Sequence, residues 1–177
     1  MVITLGNIVF GGKGNGGSAP AAYVVPDGMN FGYSTLTEFP SEGLDFSQKT
    51  NFSKAWYNCI KLTEFPALNM GNGTNFAWAW GGCSSLTSIG QLDLHNGTNF
   101  GSAWMNCKAL VNLGGFGAIK ESIDLSPCTK LTVDSLMNVI TQAATVTSAT
   151  MKLGSTNLAK LTDEQKGVAT NKGWTLA

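Results

Sequence analysis

Apolar and polar positions along this chain fall into a pattern that returns every 24 residues. Asn51-Phe52 recurs as Asn75-Phe76 and Asn99-Phe100, Ala55-Trp56 as Ala79-Trp80 and Ala103-Trp104, and Cys59 as Cys83 and Cys107. Three positions after each Cys stands Leu62, Leu86 or Leu110, followed by Phe65, Ile89 or Leu113, while Leu36 to Phe39 opens the first unit. Between these lie Leu44-Asp45-Phe46, Leu68-Asn69-Met70 and Leu92-Asp93-Leu94, apolar residues flanking one polar residue, which predicts a short strand with one face in and one face out. Ile123-Asp124-Leu125 repeats this element, and Cys128 precedes Leu131 by the same three positions, so a degenerate fourth unit is expected. Asn72-Gly73 and Asn96-Gly97 supply turns at equivalent points. No such unit can bury its own apolar face. The period therefore predicts an α/β repeat fold, a leucine-rich-repeat solenoid of short parallel strands and turns whose ends need covers.

The covers are legible as departures from the period. Asp134 through Gln142 places Leu136, Val139 and Ile140 on one helical face, and Thr162-Asp163-Glu164-Gln165 is a capping box opening a second helix that Gly173 can stop. Met151-Lys152-Leu153 and Trp174-Thr175-Leu176 read as strands. At the other end Val2, Ile3, Leu5, Ile8, Val9 and Phe10 form one apolar strand-like segment, set off by Gly11-Gly12-Lys13-Gly14-Asn15-Gly16-Gly17, a flexible tether. A lone strand has no partner for its backbone groups, so this segment is expected to order only on another subunit, by strand addition. The organisation expected is an anchor and tether over 1–20, a capped repeat domain over 21–131 and a helical cap over 132–177.

Composition narrows the function classes. Eleven basic residues balance eleven acidic ones, and all eleven are Lys. A neutral, Arg-free chain has neither the field nor the bidentate fork of a nucleic-acid binder. No stretch reaches the roughly 20 apolar residues of a membrane-spanning helix, and the start lacks the basic leader of a secretory signal.

The run Asn-Phe-x-x-Ala-Trp-x-x-Cys-x-x-Leu, together with Leu-Thr-x-Phe-Pro and Leu-Asp-Leu, resembles the BspA-like leucine-rich repeats of bacterial surface proteins and bacteriophage structural proteins over residues 36–131. The ending from Met151 to Leu176 is similar to the C-terminal cap of such proteins in tailed phages. The resemblance implies a non-enzymatic virion structural protein, a head or tail fibre or decoration protein assembled in the host cytoplasm. It would be anchored by its N-terminus to other virion proteins, would form a homo-oligomer, and would present its repeats for adhesion to a host-surface glycan or protein. A purely architectural virion component and a BspA-type bacterial surface adhesin are the alternatives. No cofactor is implied.

Individual residues have competing explanations. Trp56, Trp80 and Trp104 keep one phase with Phe and Ala, as an interior layer does, whereas Trp78 stands where neighbouring units have Lys54 and Ser102 and is a candidate contact residue. Asp45, Asn69, Asp93 and Asp124 make a polar column that either is solvated or binds a cation or sugar hydroxyls. The Cys residues lie 24, 24 and 21 positions apart without a partnering His, a packing column and not a metal motif. His95, the only histidine, reads as a turn residue.

Overall fold

The computed structural model describes the backbone of residues 3–5 and 8–10 and the whole of residues 22–177. β1 (Ile3–Leu5) and β2 (Ile8–Phe10) pair antiparallel, Leu5 opposite Ile8 and Ile3 opposite Phe10. The apolar segment is thus two strands that satisfy each other, and not the lone strand expected from its hydrophobicity. The sequence signal that was missed is Gly6-Asn7, a pair that suits a two-residue hairpin loop. Val2 and the glycine tether lie outside the described residues.

From residue 22 the chain builds short strands that pair with the next unit in parallel. β3 (Tyr23–Val24) pairs with β4 (Leu44–Asp45), and β6 (Leu68–Asn69) with β8 (Leu92–Asp93). β5 (Glu64–Phe65), β7 (Ser88–Ile89) and β9 (Asn112–Leu113) form one three-stranded sheet, and the bridge from Glu38 to Glu64 adds a further rung. A third line of contact runs through Asn51, Asn75 and Asn99. Partners are mostly 24 positions apart, so each unit places the same residues above one another.

That register fills the interior with columns. Phe52, Phe76 and Phe100 stack at 5.1 and 5.5 Å, and Trp56, Trp80 and Trp104 at 5.4 and 5.8 Å, with planes within 11°. All three indoles are fully buried. The column of Cys59, Cys83, Cys107 and Cys128 is also buried, and the first three thiols donate to the Phe31, Trp56 and Trp80 carbonyls at 3.1–3.2 Å. A small side chain with a weak donor both fits the layer and satisfies a carbonyl of the unit before it. Gly73 is needed for space: a Cβ there would sit 2.9 Å from the Phe52 ring. This close approach, not only the turn, explains the recurrent Asn-Gly.

The fourth unit departs from the period in a specific way. Leu94 and Cys107 are 13 residues apart, but Leu125 and Cys128 only three, so the coil carrying the Phe and Trp layers is missing. The place beyond β8 is taken by Gly115 and Phe116, whose carbonyls accept from Leu92 and Leu94 at 3.0 and 3.1 Å, and Phe116 stacks on Trp104 at 4.6 Å. β10 (Ile123–Asp124) instead joins β11 (Ala149–Lys152) and β12 (Trp174–Leu176) in a separate parallel sheet that crosses residue 131.

Both ends are closed by side chains that satisfy exposed backbone. Helix α1 (Val133–Gln142), capped by Thr132, lies against β9. Ser135 Oγ bonds Leu113 N and Val111 O, and the amides of Asn138 and Gln142 donate to Leu113 O and Gly114 O. Three polar residues on one helical face thereby stand in for the next strand. Lys172 then caps α1, its ammonium within 2.6 and 2.8 Å of the Thr141 and Ala143 carbonyls. Helix α2 (Gly154–Leu158), which no pattern foretold, seats the buried Asn157, and α3 (Asp163–Thr170) has the expected Thr162–Gln165 capping box. At the opposite end Lys49, fully buried, donates to the Pro26, Asp27 and Met29 carbonyls at 2.9–3.1 Å and lies 5.4 Å over the Phe52 ring. Asp27 completes that end by accepting from Thr50 N, Thr50 Oγ1 and Asn51 N.

Candidate functional site

Two surfaces carry the residues singled out by the sequence. The first is a groove of about 620 Å³ whose walls include Asp45, Asn69 and Asp93. Each of these side chains first serves its own backbone: Asp45 Oδ1 accepts from Ser47 N at 2.8 Å, Asn69 Oδ1 from Gly71 N at 3.0 Å and Asp93 Oδ1 from His95 N at 3.3 Å. These are Asx turns, the physical reason for Asp or Asn at this phase. The amide and hydroxyl of Ser47 also hold the Asp45 carboxyl below the usual carboxylate range. A second such ladder runs through Asn51, Asn75 and Asn99, each accepting from the N–H two residues on.

Asp124 is not part of the groove. It makes the same turn, with Ser126 N and Oγ at 2.9 and 2.6 Å, but it lies in the C-terminal sheet and pairs with Lys152 at 3.1 Å. Burial pushes its carboxyl up, and the Ser126 and Lys152 contacts outweigh that and leave it lowered. In register below Asp93 stands Gly117, where a Cβ would come within 3.3 Å of the Asp93 carboxylate. The column is therefore three residues long.

Gly71 opens the groove between Ser47 and His95, the residues at its own phase in the flanking units. A Cβ at Gly71 would meet Asp93 Oδ2 at 2.9 Å and His95 Cε1 at 3.1 Å. The ring of His95 sits with Nδ1 2.7 Å from Asp93 Oδ1 and Nε2 2.9 Å from Asn96 Nδ2, which itself donates to Gly71 O at 2.7 Å. Because an amide nitrogen can only donate, Nε2 accepts and Nδ1–H donates in this arrangement. Both ring nitrogens are engaged, so the groove offers outer carboxylate oxygens to hydroxyl or amine donors instead of a free base. Asn72 and Asn96, the first residues of the two Asn-Gly turns, spend their amides on Ser47 O and Gly71 O.

The second surface surrounds Trp78. Lys54, Trp78 and Ser102 all adopt a left-handed backbone, φ 57°, 59° and 55°, and point away from the interior layers. Trp78 meets Tyr57 edge to face at 5.6 Å, and Tyr57 meets Tyr33 in the same way at 5.3 Å. Tyr33, Tyr57, Gly81 and Met105 share one phase of the period. Where this phase lacks a side chain, at Gly81, the Trp78 ring lies over it: a Cβ would touch Trp78 Cε3 at 2.9 Å. Trp78 stands out in the sequence as a lone aromatic between Lys54 and Ser102, whereas Tyr33 and Tyr57 repeat one another at their phase and Met105 is an ordinary apolar residue, so nothing in the pattern marks them as exposed.

The four buried thiols form no disulfide. Burial pushes Cys107 up to about 12 and raises Cys128, and the neighbouring Cys59 thiol together with burial raises Cys83. Among the described residues no helix is long and apolar enough to cross a membrane. No family model, curated protein or solved structure matches the chain.

Proposed function

We propose that the chain is a leucine-rich-repeat solenoid serving as a non-enzymatic display scaffold, and that it is a bacteriophage virion structural protein of the fibre or decoration kind, assembled in the host cytoplasm. One observation carries the display reading. Buried phases such as Trp56, Trp80 and Trp104 keep their residue, as do the bridging Asn51, Asn75 and Asn99, while the phase of Tyr33, Tyr57, Gly81 and Met105 on one face changes residue from unit to unit. A scaffold that conserves its interior and diversifies one face is suited to recognition.

The virion reading rests on the resemblance of the repeats and of the Met151–Leu176 ending to phage proteins. The N-terminal hairpin supports an anchoring role on physical grounds: two three-residue strands are marginal alone in water, and among the described residues neither outer edge of the two-stranded sheet is paired, which suits strand addition by other virion proteins or by further copies of the chain. Antibodies raised against residues 22–177 and applied to purified particles and to cell envelopes of the source culture test this. Labelling of the particle surface is the expected outcome. Labelling confined to the bacterial envelope would replace the virion reading with that of a surface adhesin, and particle labelling only after disruption would leave a purely architectural component.

A further inference from the structure

We infer that the ridge Tyr33–Tyr57–Trp78–Met105 is the binding surface, and that its ligand is an acidic polysaccharide. This deepens the display reading by naming its site and ligand class.

Three observations converge on it. First, apolar groups are exposed where the stack does not need them: Tyr33 is 74% exposed, Ile60 55%, and Trp78 and Met105 36% each. Ser102 holds the same phase with the same left-handed backbone and no aromatic ring, so the turn itself does not require Trp78. Second, the edge-to-face contacts between Tyr33, Tyr57 and Trp78 turn the rings alternately, leaving a stepped row of aromatic surface along the stack axis. Such a row suits the repeated C–H faces of a sugar chain, which carry partial positive charge towards the electron-rich ring. Polar partners lie alongside: a recess of about 350 Å³ at one end is lined by Tyr33 and Ile60 with Ser34, Thr35, Asn58 and Lys61.

Third, charge is segregated. The segments that carry the ridge, 31–37, 51–63, 75–87 and 99–111, contain Lys54, Lys61 and Lys108 and no Asp or Glu. All three lysines are exposed, and among the described residues none pairs with a carboxylate. The carboxylates of the repeats lie instead on the strand sides, as Glu38, Asp45, Glu64 and Asp93 do. Aromatic surface flanked by unpaired ammonium groups matches a chain that offers an apolar sugar face and a carboxylate in each unit, and it disfavours a neutral glycan.

The test uses the full chain, with oligogalacturonate as the probe and a neutral dextran oligomer and inorganic polyphosphate as comparators, followed by calorimetry and tryptophan emission. Trp56, Trp80, Trp104 and Trp174 are buried, so quenching by a soluble quencher reports Trp78. Expected are binding of oligogalacturonate that weakens with salt, protection of the exposed emission, and affinity for either comparator lower by about tenfold or more. The paired variants Tyr33→Ser/Trp78→Ser and Lys54→Ser/Lys61→Ser should each weaken binding by about tenfold with unchanged melting. Ser102 and Ser85 occupy the phases of Lys54, Trp78 and Lys61 in other units, and Tyr33 is mostly exposed, so serine is accommodated at all four positions. No binding of oligogalacturonate, equal binding of either comparator, or full affinity in both variants overturns the proposal. Those outcomes leave the particle-labelling result untouched, and labelling confined to the envelope would leave the ridge in place, so the two readings fail separately.

Discussion

The Trp80 indole stacks on that of Trp56 at 5.4 Å with planes 11° apart, and neither ring nitrogen has a hydrogen-bond partner. The pair is held by packing alone. Trp80→Ala should therefore cost about 3–5 kcal/mol and loosen the units on both sides, whereas Trp80→Phe, which removes an unsatisfied donor along with part of the area, should cost less than half as much. Chemical denaturation of the two variants checks this; equal losses would contradict the packing account.

Lys49 is the second stability prediction. Lys49→Met removes the donor from three carbonyls at once and should destabilise by about 2–4 kcal/mol, with the loss of protection in hydrogen exchange concentrated in residues 22–31. Lys49→Arg should not restore it, because a planar guanidinium cannot meet three acceptors arranged around an ammonium.

Much of this was readable before any coordinates, and the boundary has a physical basis. The columns of Phe52, Trp56 and Cys59 were legible because an interior layer demands the same residue in each unit. The fourth unit was legible as degenerate but not in its consequence: Ile123-Asp124-Leu125 has the same apolar-Asp-apolar pattern as Leu92-Asp93-Leu94, and only pairing reveals that Asp124 belongs to another sheet. Lys49 and Asp27 were invisible because most of their partners are backbone atoms, which leave no trace in residue type. Tyr33 and Met105 were missed for the opposite reason to the core, since an outward phase has nothing that forces repetition.

Acid should weaken the N-terminal end of the repeats through Asp27. Asn51 N, the Thr50 hydroxyl and Thr50 N hold the Asp27 carboxyl below its usual range. A carboxyl whose pKa is lowered on folding contributes stability that is complete above its unfolded value and is lost as pH falls through the folded one. Asp45 and Asp124 share that sign, so the wild type should lose stability between about pH 5 and pH 2, and Asp27→Asn should lose less over the same window. Parallel pH profiles for the two proteins would remove Asp27 from the account.

The thiols give a chemical check on the column. In the native protein all four should be silent to a thiol reagent because they are buried, and after unfolding without reductant four should titrate. A smaller number would reveal bridging.

Deleting residues 1–17 should leave melting of the repeats nearly unchanged while abolishing incorporation into the particle or self-association. Melting curves and sedimentation measure the two effects separately. Normal assembly of the truncated chain would move the attachment surface onto the repeats.

The 24-residue register also bears on how such a molecule changes size. Because Asn75 bridges Asn51 on one side and Asn99 on the other, duplicating residues 75–98 would recreate every turn, stack and bridge at the new junction. Residues lost within a unit instead take whole layers with them, as between Leu125 and Cys128, where the Phe and Trp layers are gone although Cys128 keeps its place in the thiol column. Reach is therefore a quantised trait: it can lengthen or shorten by duplication or loss of one whole unit at a time, with both end covers carried along unaltered.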